Sequence, residues 1–496
     1  MTHPTTADLI PAIPLPPPLQ PFQPLCQAFL QQLLPLLLQF GSQQPTPQAM
    51  HQFEIDLHDQ LRRFGQGLVQ RAVHQFESSG PQQPPPRLRF AGACYRRRRQ
   101  HPNAIATLFG TITLRRYLYE ACEPGEPSLH PLEVSLGVEA GNATPALAER
   151  VGCWAAQHPQ AEVLRLLLQE HGIAWSVTTL RKVTASLSEG LAAHRQAAQQ
   201  AKVLGWLAQA QHGRGPLRPV LAVGRDGAHL PIRGGGYQEG ATATVSVYDR
   251  RGRRRGTVYL GQMPQEGQHA LSEQLTALVT AVLAACSGPL PRLAYVTDGG
   301  HHPKEYYRGV LCRLQDPRHP GRRLSWAWVL DYYHASSYVS QLAEALFGPG
   351  REAERWAGRM RHWLKHRRGG VANVLRSASM HEGRRRMSRA VAKAYGKAYR
   401  YVRRHGRHMD YASYRRQGLP IGSGVTEAAC KTVFTQRLKQ SGMSWEIAGG
   451  QVIVDLRVIL RSGVWREVNR AYRASREQPV TASYQGSSEE VVENAA

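Results

Sequence analysis

Apolar residues recur at helical spacing through the first 200 positions, then change to short continuous or alternating runs in the middle of the chain. Leu25 to Phe40 is leucine-rich, but Gln27, Gln31, Gln32 and Pro35 interrupt it. It falls short of the roughly 20 apolar residues that span a bilayer and reads as a helix packed on a partner helix. Leu57, Leu61, Phe64, Leu68 and Ala72 mark a second helix, whose stripe fits plain helix packing better than a coiled-coil seam. Residues 1–24 and 78–87 are Pro/Gln-rich linkers. Thr111 to Leu114 and Tyr117 to Tyr119 look like short strands, with basic Arg96 to Arg99 just upstream. Residues 144–200 read as helical. A helix from Glu162 to Glu170, then Gly172, then a helix from Ser176 to Ser188 resembles a helix-turn-helix, and an ordinary helical hairpin fits the same spacing equally well.

The pattern shifts between residues 217 and 335. Val220 to Arg225 predicts a strand. Ala241 to Tyr248 and Gly256 to Gln262 flank the turn Asp249-Arg250-Arg251-Gly252 and predict a hairpin. His269 to Ala285 follows as an amphipathic helix, then a strand at Leu293 to Thr297, a helix at Pro303 to Leu314 and a strand at Leu324 to Leu330. Residues 336–416 are helical again, and from Ser475 the tail turns polar and acidic, as disordered segments do. The divisions expected are a Pro/Gln-rich and helical segment (1–87), a mostly helical DNA-binding region (88–210), a first core segment (211–335), a basic helical insertion (336–416), a last core segment (417–474) and the tail (475–496).

Charge changes the picture from fold to partner. Lys and Arg total 62 against 36 Asp and Glu, a net charge of +26, in a chain of 496 residues with 42% hydrophobic content. Such an excess favours nucleic acid, although charge alone licenses only non-specific binding. Between Arg351 and Arg416 there are 20 Lys/Arg against Glu352, Glu354, Glu382 and Asp410. Trp356, Trp363, Tyr395, Tyr399 and Tyr401 interleave with them, a mixture suited to phosphate contacts with occasional stacking. Arg384, Arg385 and Arg386 are the densest part and are expected to bind DNA. The 7 cysteines, Cys26, Cys94, Cys122, Cys153, Cys286, Cys312 and Cys430, are scattered and never in C-x-x-C spacing. This argues against a disulfide framework or zinc and fits a reducing cytoplasm. The start lacks the basic n-region of a secretory signal.

Three acids carry the candidate chemistry. Asp226 ends the apolar run Val220 to Arg225, Asp298 ends Leu293 to Thr297, and Glu427 opens a helical stretch after Gly422-Ser423-Gly424. Carboxylates at strand ends and on a nearby helix can hold two hard divalent cations, and a pair about 3.5–4 Å apart clamps both oxygens of an in-line phosphoryl displacement. Singly, two of them have plainer readings: Asp226 as a turn cap, Glu427 as a first-turn acid favoured by the helix dipole. Gly234 to Gly236 form no nucleotide loop, because no G-K-[ST] follows.

In this order the acids and the strands resemble the RNase-H-like fold. The chain is most similar to the DDE transposases of bacterial insertion sequences, in the branch related to the Kra-type and mutator-type elements. The resemblance covers roughly residues 90–465. It rests on Asp226-Gly227, Thr297-Asp298-Gly299, Leu330-Asp331-Tyr332-Tyr333-His334 and Gly422 to Glu427. The last continues into Lys431, Arg437-Leu438-Lys439 and Ser441 to Trp445. It implies an α/β (α+β) multidomain protein with a mixed five-stranded sheet and an all-helical basic insertion before the last catalytic Glu. It implies that Asp226, Asp298 and Glu427 are the catalytic, metal-binding triad for two Mg²⁺ (or Mn²⁺), with strand cleavage and transfer at element ends. Asp331 and His334 match a D-x-x-H element, and His334 is expected to meet the scissile region or a phosphate rather than metal. Lys431, Arg437 and Lys439 are expected near DNA; Lys431 at i, i+4 from Glu427 also fits a surface pair. The partners implied are double-stranded DNA and a second copy of the chain, at least a dimer, in a prokaryotic, nucleoid-associated setting. The branch often carries N-terminal cysteine pairs suggestive of a zinc ribbon, whereas here Cys94 and Cys122 stand alone. Two rivals stay open: an RNase-H-like structure-specific nuclease, and a DNA-binding regulator without catalysis.

Overall fold

A computed structural model describes residues 15–76, 84–383 and 387–477, with the backbone of 481–482. It divides into two compact units, residues 1–190 with 469–496, and residues 191–468. No helix among the described residues is long and apolar enough to cross a membrane. Arg384, Arg385 and Arg386 lie outside the described residues.

In the first unit, α1 (Gln23–Ser42) and α2 (Pro47–His74) form the expected helix pair. Thr46 caps α2 by accepting from the Ala49 N–H, with Pro47 at the first helical position. Phe29 stacks on Phe64 and Phe40 on Phe53, with ring centroids 4.3 and 4.2 Å apart. The region from residue 88 departs from the helical expectation. It opens with an antiparallel sheet of β1 (Arg87–Phe90), β2 (Ala93–Thr107) and β3 (Gly110–Ala121), with β9 (Thr481–Ala482) beside β1. The short runs at 111–114 and 117–119 are one strand. The arginines just upstream are its partner, and their polar side chains hid the period-2 signal. Gln70 of α2 bonds both ways to Thr113, and Gln66 donates to the Thr111 carbonyl, so two side chains occupy the free edge of β3.

Further helices of this unit among the described residues are α3 (Pro131–Ser135), α4 (Pro145–Ala155), α5 (Gln160–His171) and the start of α6 (Val177–His212). Gly172, at φ +64°, ends α5 in the left-handed conformation that glycine adopts without strain. Leu147, Val151, Val163, Leu167, Leu180 and Val183 close a small core. The helix expected at 176–188 is only the first part of α6, because its apolar face continues past the point where the sequence becomes alanine-rich.

The second unit is built on a five-stranded mixed sheet in the order β6-β5-β4-β7-β8. These are β4 (Val220–Ile232), β5 (Gly236–Tyr248), β6 (Arg254–Gln262), β7 (Arg292–Thr297) and β8 (Trp326–Leu330). β4, β5 and β6 are antiparallel neighbours, while β7 runs parallel to β4, and β8 to β7. Between β6 and β8 lie α7 (His269–Ala285) and α8 (His301–Gly309), so the strand and helix order read from the sequence holds. The strands are buried on both faces, as parallel sheets are. Leu221, Val223, Leu293 and Tyr295 face Leu271, Leu275 and Leu278 of α7. Val220, Ala222, Ala294 and Val296 face the other way.

That second face is covered by the basic region 336–416. It comprises α9 (Tyr332–Phe347), α10 (Arg351–His366), α11 (Gly370–Glu382), α12 (Arg389–His405) and α13 (Tyr411–Arg416). Val339, Leu342, Trp356, Met360 and Val402 share one core with the sheet, so this insertion is a layer of the same unit. Trp356 and Tyr395 are buried in it, which corrects their reading as stacking surfaces for bases. Then come α14 (Gly424–Ala429), a π-helical turn at Cys430–Thr435, α15 (Gln436–Leu438), α16 (Ile447–Arg461) and α17 (Trp465–Ser475), whose later part belongs to the first unit.

Candidate active site

β4 extends beyond its expected end at Arg225. Gly234 and Gly236 take positive φ of +71° and +65°, and the turn they make folds β4 back onto β5 in register from Val220↔Tyr248 to Ile232↔Gly236. Asp226 is therefore inside a strand, opposite Thr242, rather than at its end. Its parallel partner β7, however, pairs only as far as Gly224↔Val296. Asp226 thus emerges where the parallel part of the sheet stops, level with Asp298 just past β7 and Asp331 just past β8.

Glu427 reaches this edge because α14 lies directly on the sheet. A Cβ at Gly224 would meet Thr426 Oγ1 at 2.0 Å, so only glycine permits the approach. Thr426 and Thr244 hydroxyls bond at 2.9 Å and fix the helix there. The three acids then feel one another. The Asp226 carboxyl is pushed up to about 6, first by burial and then by the charges of Asp298 and Glu427; the Gly227 N–H and the Cys430 thiol pull the other way. Asp226 Oδ1 accepts from Gly227 N at 2.8 Å, Asp298 Oδ1 from Gly300 N at 2.9 Å, and Glu427 Oε1 from the Ser423 hydroxyl at 2.8 Å. Lys431, the i+4 neighbour of Glu427, is exposed.

Asp331 stands at the same sheet edge, but inside the protein. It is 1% exposed and caps α9, accepting from His334 N at 2.6 Å and from the Ser423 N–H. The chain Asp331–Ser423–Glu427 ties it to the helix that carries Glu427, and its burial corrects its reading as a group near DNA. His334 is exposed and lies edge-on to Tyr338 and Tyr401, so it is not a core histidine. Arg437 is also corrected: it is 1% exposed, stacked over Trp445 at 5.3 Å, and holds the fold rather than a phosphate. Lys439 is exposed, 5.4 Å over the ring of Tyr237.

The sequence reading missed three parts of the neighbourhood. Cys430, buried beside Asp226, bonds to Thr242 Oγ1 at 3.2 Å, and burial raises its thiol. Glu239 lies over the bare backbone of Gly227 and acts on the same thiol, a fourth carboxylate legible only once the β4–β5 register is known. An open cleft of about 620 Å³ is lined by Tyr338 and Tyr401 with Lys397, Arg400, Arg403, Arg404 and His405. It adjoins the acids, since the Tyr401 hydroxyl donates to the Asp298 carbonyl at 3.3 Å. Lys304 of α8 is depressed by Arg308 first, then by Arg404 and Arg407, so these cations crowd one surface. His301, His302 and Glu305 form a compact group, with ligand atoms within 4.8 Å of one another. It sits at the positive end of α8 beside Lys304 and Arg308, surroundings that repel a cation, and we read it as local ion pairing. Set against known proteins, the sequence matches no family model and no curated protein.

Proposed function

We propose that this chain is a DNA transposase with an RNase-H-like catalytic core. The observation that carries the reading is the meeting of Asp226, Asp298 and Glu427, from three distant parts of the chain, at one edge of a sheet of order 6-5-4-7-8. The antiparallel β4–β5–β6 and parallel β4–β7–β8 pairings are those expected of that fold.

The residues fit a pair of Mg²⁺ or Mn²⁺ ions. All three donors are carboxylate oxygens, as hard cations require, and Asp226 is held above its usual range by burial and by its like-charged neighbours, a repulsion that cations relieve. As placed, the three carboxylates do not bring one oxygen each within 4.8 Å of the others. Bound there, the ions would activate the attacking oxygen and stabilise the leaving one. The protein's own groups do the rest. Gly227, Gly300 and Ser423 fix one oxygen of each acid. Arg400, Arg403, Arg404 and Lys397 hold the DNA phosphates beside Asp298. His334, exposed at the same edge, meets the strand rather than the ions, since imidazole is a poor partner for Mg²⁺.

Asp226→Asn, Asp298→Asn and Glu427→Gln are each expected to lower cleavage by on the order of 10³-fold while leaving DNA affinity intact or higher. The measurement is cleavage and strand transfer on duplex DNA carrying the element's ends. Wild-type cleavage in any one variant removes that residue from the site, and cleavage without strand transfer favours a structure-specific nuclease.

A further inference from the structure

We infer that Cys94 and Cys122 form a reversible thiol–disulfide site on the sheet of the first unit. In sequence the two cysteines stand 28 positions apart and belong to no motif. The fold makes them neighbours. Cys94 is at the start of β2 and Cys122 follows the end of β3, one step beyond the pair Tyr95↔Ala121. The Cys122 N–H donates to the Cys94 carbonyl at 2.9 Å, so the backbone holds the two residues opposite each other. Their side chains take the same face, and the sulfurs are 3.4 Å apart, with the Cys122 thiol donating to Cys94. Both are free thiols. A disulfide needs about 2.05 Å, and the remaining approach is within the reach of side-chain rotation.

Cys122 is exposed and Cys94 half-buried, whereas Cys286 and Cys430 are buried; Cys312 is as exposed and Cys26 and Cys153 are as half-buried, so it is the 3.4 Å approach of two sulfurs, not access, that marks this pair. The hydrogen bond to Cys94 holds the Cys122 thiol above its usual range, while Arg87 and Arg96 pull it down by stabilising the thiolate. Among the described residues, no third His, Cys, Asp or Glu joins the two sulfurs in a compact ligand group. Two thiols alone fall short of the four ligands of a structural zinc site.

The oxidant is a low-molecular-weight disulfide such as oxidised glutathione. The Cys122 thiolate attacks one of its sulfurs, and the first small thiolate leaves and takes up a proton. Cys94 then loses its proton and attacks Cys122 Sγ, expelling the second small thiol. One small disulfide and two protein thiols become one protein disulfide and two small thiols. An exposed bond of this kind is of the labile, regulatory sort rather than a structural staple. It would clip the open end of the β2–β3 hairpin, where Arg87, Arg89, Arg96, Arg97 and Arg98 are gathered.

The test equilibrates the full-length protein in glutathione buffers of graded potential, alkylates the free thiols and maps the peptides. The expected result is a Cys94–Cys122 link that forms and reverses with both thiols consumed together, and slower amide exchange at 94–97 and 119–122 in the oxidised protein. Cys94→Ser and Cys122→Ser should each leave the remaining cysteine as a stable mixed disulfide with glutathione. The inference is overturned if the two thiols react independently in the wild type, if either links to another cysteine or a second chain, or if stoichiometric zinc protects both.

Discussion

Asp226 is held between two demands. Its strand position buries it, and Asp298 and Glu427 oppose its charge, so its carboxyl is pushed up to about 6 from 3.8. The folded state therefore binds this proton more tightly than the unfolded chain does. The metal-free protein loses stability as pH rises from about 4 to about 6, and the penalty is then constant at higher pH. Asp226→Asn removes it. The variant should be more stable than wild type by about 1–3 kcal/mol at pH 8 in chelator, and by nothing at pH 4. Thermal melts at the two pH values check this, and an equal advantage at both would refute it. Added Mn²⁺ should stabilise the wild type and not the variant. Asp331 makes the opposite case. Its two oxygens are already used by His334 and Ser423, inside a site 1% exposed. Asp331→Asn should cost about 1–3 kcal/mol of stability and slow cleavage, because the loop before Glu427 loses its anchor. Unchanged melting would place the Ser423 bond outside the folded state. These two acids look alike in the sequence, each just after an apolar run. What separates them is the number of N–H groups around each carboxylate, which no local pattern records.

At the scale of elements, the meeting of α14 with β4 decides whether a site exists. Gly224→Val should push Thr426 away and carry Glu427 with it, lowering cleavage by about 10²-fold while the strands stay paired, as a misplacement near 1 Å does. Circular dichroism and cleavage rates together test this; an active Gly224→Val protein would show that Glu427 does not depend on that approach. The five strands and their order could be read in advance, because buried strands are written as apolar runs such as Val220 to Val223 and Leu293 to Val296. The extension of β4 to Ile232 could not, since Arg225, Asp226, Gly227 and His229 break the run and only the glycine turn at 234–236 reveals that the chain doubles back. The β2 strand was hidden for a related reason: Arg96 to Arg99 read as a charge cluster. The acids were found by order alone, whereas Glu239 and the basic cleft on α12 needed the packing.

Across the whole molecule, the net charge of +26 is not spread evenly. Lys397, Arg400, Arg403 and Arg404 line one cleft, while Lys304 and Arg308 crowd Arg404 and Arg407. Replacing Arg400, Arg403 and Arg404 with Ala should flatten the slope of log K against log salt by about 0.9 for each phosphate no longer neutralised, on every duplex sequence alike. A weakening confined to one sequence would mean that these side chains read bases. Lys439 and Arg437 offer a control within the same test: neutralising exposed Lys439 can change the slope, but Arg437→Met should act through stability, because its guanidinium is packed over Trp445. Gln66 and Gln70 act on the molecule's outward behaviour in another way. By bonding to the Thr111 carbonyl and to both backbone groups of Thr113 they imitate a neighbouring strand and occupy those positions on the rim of β3. A shortened chain beginning at residue 84 would uncover that rim, and it should associate through it, one molecule's β3 zipping against another's. The amino-terminal helices thus serve as a guard against self-templating, and light scattering of the shortened and full-length chains would measure how well they do it.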